Sequence, residues 1–333
     1  MILFICGRSG RGHILALCFL SVCFFLAATT PVQAIQKPES CRIGAYLVDL
    51  YRLDPNNKSF NADIWLWSNC AKNELQPLKR VEYKNANSVN NDYYNIIQEK
   101  NIYWEHLKVK GNFRQDWDVR DYPFDHHTLE IIVEESTSDI RKFVYVPDSV
   151  DSHYDTNIHL EDWNIESFKM IGTKDVYSTT FGDPTLRPGD GSVYSQIRIQ
   201  IVVARSDFSS FFKLMAPAYV SFILTIITFF LALDSALSLG LLAGVLFVVV
   251  VSIRDVSDTL GSASGLTLPD QLHIVILLYI MEAVIIAIIS RKMQEHGKAR
   301  EKINRLNMHC FWIDTLSFIV INIALVAWAI YSG

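Results

Sequence analysis

The stretch FFKLMAPAYVSFILTIITFFLALDSALSLGLLAGVLFVVVVSI, residues 211–253, holds one lysine and one aspartate among otherwise uncharged residues. It divides into two apolar runs, 211–233 and 235–253. A helix rises 1.5 Å per residue, so about 20 residues cross a hydrocarbon core about 30 Å thick. Each run is therefore predicted to be a membrane helix, and the few residues between them allow only a tight hairpin. Two further runs, 272–290 and 311–331, complete a set of four spans.

Charge orients the set. The linker 291–310 carries Arg291, Lys292, Lys298, Arg300, Lys302 and Arg305 against Glu295 and Glu301. Lys and Arg mark the cytoplasmic side. The first hairpin loop then lies on that side too. The region before residue 211 and the polar loop 254–271 face the opposite side, with the C-terminus. The N-terminus agrees: Arg8, Arg11 and His13 precede an apolar run over 14–28, and Val32-Gln33-Ala34 resembles a cleavage site. Residues 1–34 are expected to be an export signal. A fifth span is disfavoured because the run is short and Thr29-Thr30-Pro31 interrupts it.

Half of the 333 residues are hydrophobic and the formal net charge is −5, which argues against nucleic acid as a partner. Removal of the signal leaves Cys41, Cys70 and Cys310, with no C-x-x-C pair to bind zinc or run thiol exchange. Nucleophile–base spacing, metal-ligand spacing and a Gly-rich phosphate loop are all missing, so neither enzyme chemistry nor a cofactor is expected.

Residues 35–210 read as strands. The runs 45–53 and 60–68 flank Asp54-Pro55-Asn56-Asn57-Lys58, a hairpin with turn chemistry. Further runs cover 102–109, 129–134, 142–146, 163–170 and 192–204. Short strands between polar turns predict a β-sandwich. If Leu53 pairs with Lys58 or Ser59, Cys41 and Cys70 fall opposite each other or one step out of register. Opposed strand residues lie within disulfide reach. The competing reading makes both small buried apolar residues.

Several motifs resemble the pentameric ligand-gated ion channels, and the matches extend from Ile43 to the C-terminus. Asp118-Val119-Arg120-Asp121-Tyr122-Pro123-Phe124-Asp125 is similar to the signature loop of that family, without its flanking cysteines, as in bacterial members. His127 stands where the family usually has Gln. The run 43–54 looks like the first strand of the proton-gated bacterial channels, and 162–168 like their ninth strand. Arg205, twelve residues before Pro217, resembles the arginine that precedes the first membrane helix. The resemblance implies an extracellular immunoglobulin-like sandwich over a four-helix transmembrane bundle. It implies a homopentamer in a bacterial inner membrane, with the sandwich and the C-terminus in the periplasm. The implied partners are the lipid bilayer, permeant cations and an agonist, either protons or a small molecule such as an amine.

In this family the second helix lines the pore. The expected stripe is Asp234, Ser238, Leu242 (or Leu241), Val245, Val249, Ser252 and Asp255, with carboxylate rings at the mouths to attract cations and apolar rings between. The alternative makes the two acids plain helix ends. Glu282 is expected to be structural, and Asp314 and Lys213 to snorkel from helix ends. For the agonist, Trp65 and Trp67 match the complementary side of an aromatic box. Glu134 and Glu135 match its principal side, and Tyr177, Phe181 and Tyr194 its closing loop. Such a box suits an amine through cation–π and charge contacts; otherwise these aromatics pack the core. Asp54, Asp125 and Arg205 are expected to meet at the membrane surface beside Pro123, where the sandwich couples to the helices. Asp49 resembles a strand acid of proton-gated members or is a surface aspartate. A non-conducting receptor or scaffold with the same fold is the alternative function.

Overall fold

The computed structural model describes residues 37–206, 208–231, 235–261 and 265–332. The export signal and Asp234 lie outside them. Among the described residues, the chain from Glu39 onward forms ten strands and then four long helices. The strands are β1 (Glu39–Asp54), β2 (Ser59–Cys70), β3 (Val81–Tyr83), β4 (Ala86–Glu99), β5 (Ile102–Arg114), β6 (His126–Asp139), β7 (Phe143–Pro147), β8 (His153–Tyr154), β9 (Trp163–Tyr177) and β10 (Ser192–Arg205). The helices are α1 (Ser209–Ile227), continued by a 3-10 turn over Thr228–Leu231, α2 (Ser235–Leu260), α3 (Leu268–Glu295) and α4 (Arg300–Ser332).

The strands make two sheets, β4-β5-β2-β1-β7 with β8 beside β1, and β3-β6-β10-β9. Along β2 every second residue is buried: Phe60, Ala62, Ile64, Leu66 and Ser68 point inward, while Asp63, Trp65 and Trp67 point out. That is the two-residue period of a half-buried strand. Ile43, Ile64 and Leu107 from one sheet share an apolar core with Leu129, Ile131, Ile197 and Ile199 from the other. The β region is therefore a sandwich of two sheets.

Cys41 pairs with Cys70 in the β1–β2 register, and a disulfide joins them with their Cα atoms 4.6 Å apart. The turn fixes a different register. Asp54 faces Ser59, and without irregularities Cys41 would face Lys72. Shifts at 51–54 and 47–49 bring the two cysteines into line. Trp67 lies across Gly44, where any Cβ would collide with the indole.

All four helices are long and apolar enough to cross a membrane. They run further than their apolar stretches. α2 continues to Leu260, which shortens the loop expected over 254–271. α3 reaches Glu295 and α4 starts at Arg300, so the expected linker 291–310 is helical except at 296–299. Thr267 caps α3 by a capping box with Asp270, and Pro269 fits its first turn, where no amide donor is needed.

Candidate functional site

Two connections of the β region meet the ends of all four helices. In the β1–β2 turn, Asn56 Nδ2 donates to the Asp258 carbonyl of α2 at 3.1 Å. In the β5–β6 loop, the Arg120 carbonyl accepts from the Leu268 amide that opens α3, at 2.9 Å. Asp121 Oδ1 accepts from Ser332 Oγ at the end of α4, at 2.8 Å. Tyr122 and Phe124 make tilted ring contacts with Phe211 and Phe208 at the start of α1. The Tyr122–Pro123 peptide is cis, and Pro123 is buried.

A buried ion pair anchors this loop. Arg205 Nε donates to Asp125 Oδ1 at 2.8 Å, with the Asp125 side chain only 2 % exposed. The guanidinium lies between the rings of Tyr122 and Trp163, 4.6 and 4.2 Å from their centroids. His127 Nε2 is 2.7 Å from the other oxygen, Asp125 Oδ2. A carboxylate only accepts, so the imidazole donates. His127 also packs against Trp117 and Trp163. Its neighbour His126 faces outward to Glu166.

Asp54 does not join this pair. Its carboxylate accepts from the amide and side chain of Asn57, 2.9 and 2.7 Å away, and so organises its own turn. The Asn57 amide, followed by the Asn57 side chain, holds the Asp54 carboxyl below its usual pKa. Asp49 is exposed in mid-strand, and its carboxylate accepts from the Leu50 amide. The expected three-residue cluster is thus corrected to Asp125, Arg205 and His127. The short polar turn satisfies Asp54 locally before a distant arginine can reach it.

The expected pore stripe is also corrected. Ser238, Leu242, Val245, Val249 and Ser252 are all buried by this chain's own helices, and Val249 is 0 % exposed. Ser238 Oγ donates to the Leu231 carbonyl, and Ser252 Oγ lies 2.9 Å from Nε2 of the buried His273 on α3. Asp255 is exposed and leaves this stripe. Period 3.6 correctly groups the five residues on one face, but that face packs on α1 and α3. The opposite face is open: Gly240, Phe247 and Arg254 recur at heptad spacing, and Phe247 is 71 % exposed. Asp314 is no snorkelling end residue. It is 1 % exposed in the body of α4, and its Oδ2 has no partner.

The residues expected at the ligand box split between the two sheets. Tyr177, Phe181 and Tyr194 form a triad with ring centroids 5.0, 5.7 and 6.1 Å apart. Glu134 faces it: Tyr177 Oη donates to Glu134 Oε1 and Gln196 Nε2 to Oε2, each at 2.6 Å. Burial, then the bond to Glu134, pushes the Tyr177 phenol above its usual pKa and keeps it a neutral donor. Lys84, just past β3, reaches into the same cleft of about 400 Å³. Glu135 is fully buried, its carboxyl pKa raised by burial, and pairs with Arg80 at 3.5 Å. Trp65 and Trp67 lie on the other sheet. They line a separate cleft with Trp104, His106 and Asp148, and Trp67 Nε1 donates to Asp148. Within one chain the two groups do not meet.

The sequence reading missed Lys84, His127 and His273. His127 was visible as a departure from the signature pattern; Lys84 and His273 carry no local signal. The chain matches no known family model and no curated protein.

Proposed function

We propose that this chain is one subunit of a ring-shaped, ligand-gated ion channel resembling the pentameric ligand-gated channels, with five identical copies around a pore lined by α2. The immunoglobulin-like sandwich lies in the periplasm and the four-helix bundle in the bacterial inner membrane. The pore face is the open side of α2, marked by Gly240, Phe247 and Arg254, because the opposite side is spent on packing. Asp255 and Asp258 outnumber Arg254 at one mouth, which favours cations. The cleft of Tyr177, Phe181, Tyr194 and Glu134 is the ligand site.

The observation that carries this reading is the junction. Two loops of the sandwich touch the ends of all four helices, and the Asp125–Arg205 pair ties one loop to the strand that leads directly into α1. A displacement of the sheets at these loops would bear directly on the helix ends. Planar-bilayer recording tests the proposal under small amines and under acid pulses. Unitary currents that reverse near the cation equilibrium potential are expected. Silence under both stimuli, in protein shown to be assembled, would favour a non-conducting receptor, a reading to which the apolar open face around Phe247 lends support.

A further inference from the structure

A cage of aromatic rings around a carboxylate attracts cations. In this chain the cage already holds one. The Lys84 ammonium sits 4.6 Å from the Tyr177 ring centroid and donates to the Tyr177 hydroxyl. It lies 3.9 Å from Glu134 Oε1 and 4.0 Å from Asp175 Oδ2. The base of the side chain is pinned by backbone: the Lys84 amide donates to the Ile132 carbonyl, and its carbonyl accepts from Arg114. Only the flexible stem and its charge enter the cleft. Around it stand Glu82, Glu134, Glu135 and Asp175, against Lys84 and Arg80. Acidic groups outnumber the two cations, so the cleft disfavours an anionic ligand, and withdrawal of Lys84 leaves Glu134 and Asp175 without their cation. Glu134 is preset for an N–H donor, since Tyr177 and Gln196 fix both its oxygens.

We propose that Lys84 is a built-in occupant of the cage, and that the external ligand is a small protonated amine that must displace it. This rests on reading the cleft as the ligand site. A tethered competitor acts at an effective concentration of about millimolar or more, and it weakens apparent affinity by the fraction of time the cage is closed to others. Lys84→Met keeps the stem and removes the charge.

The test is calorimetric titration of the full chain in detergent with n-propylammonium chloride. Lys84→Met is expected to bind about tenfold more tightly than the parent, and adding Glu134→Gln should abolish the gain. Equal or weaker binding by Lys84→Met, or no binding by either protein, overturns the proposal. A second measurement needs no variant. Trimethylammonium, which amine-acylating reagents cannot consume, should raise the acylation rate of Lys84 in the parent while leaving Lys108 and Lys110 unchanged. An unchanged Lys84 rate counts against displacement. Neither readout needs a current. A chain that binds amines in this way but never conducts removes the channel reading alone. A chain that conducts while Lys84 stays indifferent to amines removes this inference alone.

Discussion

Asp125 concentrates the chemistry of the junction in one side chain. Its two oxygens serve Arg205 and His127, and all three side chains are largely withdrawn from water. Removing one partner of such a pair leaves the other charge buried without compensation. Asp125→Asn is therefore expected to cost about 3 kcal/mol, read as a lowered unfolding midpoint in detergent. Arg205→Lys should lose part of that stability too, because an ammonium cannot stack on both Tyr122 and Trp163 as the planar guanidinium does. The neighbouring turn gives a pH prediction. Asp54 is held below its usual pKa by Asn57, and Asp118 by its hydrogen bond from Arg120. A depressed carboxyl stabilises the fold at pH values above its unfolded pKa of about 4, and that stabilisation is lost as pH falls through the folded value. Hydrogen exchange of the Asn57 amide, corrected for its intrinsic rate, should stay slow from about pH 5 to 8 and accelerate below about pH 4. Acceleration on the alkaline side instead would contradict the assignment. The residue scale is also where the sequence was least legible. The Asp125–Arg205 contact followed from the motif, but Asp54 was placed with them because a sequence cannot show that Asn57 satisfies it first.

Secondary elements were legible where burial imposes a period and obscure where it does not. β2 alternates and was readable. β4 was missed: Ala86–Glu99 is rich in asparagine, mostly exposed, and bonded only to β5, so neither propensity nor alternation marks it. The helix ends were missed for a related reason. Hydropathy stops where the apolar run stops, whereas the polar turns beyond stay helical with ion pairs four residues apart: Arg254–Asp258, Arg291–Glu295 and Arg305–Glu301. Those spacings were the available signal. For α2 the period grouped these residues on one face, and that face is buried within this chain, since an apolar stripe marks burial without naming what buries it. Cysteine scanning separates the faces. In assembled protein, Gly240→Cys, Phe247→Cys and Arg254→Cys should react with a water-soluble thiol reagent, and Val245→Cys and Val249→Cys should not. The reverse pattern would restore the stripe read from the sequence. The β1–β2 hairpin yields a stability prediction. The Cys41–Cys70 bond joins residues 29 apart, and reducing it, or replacing both cysteines with serine, should cost about 2–4 kcal/mol of unfolding free energy in denaturant titrations.

The proposed molecule is a closed ring, and native mass spectrometry in mild detergent should give a mass near five chains; a monomer at every detergent concentration would refute the ring. In the proposed ring the open side of α2, with Phe247 exposed along it and Arg254 near one end, would face the axis. The order of the architecture, strands before helices, was legible from the polarity change near residue 210. The docking of one on the other was not, because Asn56, Arg120 and Ser332 are ordinary polar residues until the fold brings them together. The hairpin that carries both the cysteines and Asn56 has one more consequence, and it is mechanical. β1 is 16 residues long, which at ~3.3 Å per residue is a rod of about 50 Å. The disulfide fastens its two strands at the far end, and Asn56 rests on α2 at the near end. A tilt of only about 2° around the fastened end sweeps the tip through about 2 Å, a displacement comparable with the contact it makes. The hairpin sits in the middle of its sheet, so when that sheet tilts as a body the tip travels furthest, and a small angle reaches Asn56 as a step large enough to break or remake its hydrogen bond to the helix end.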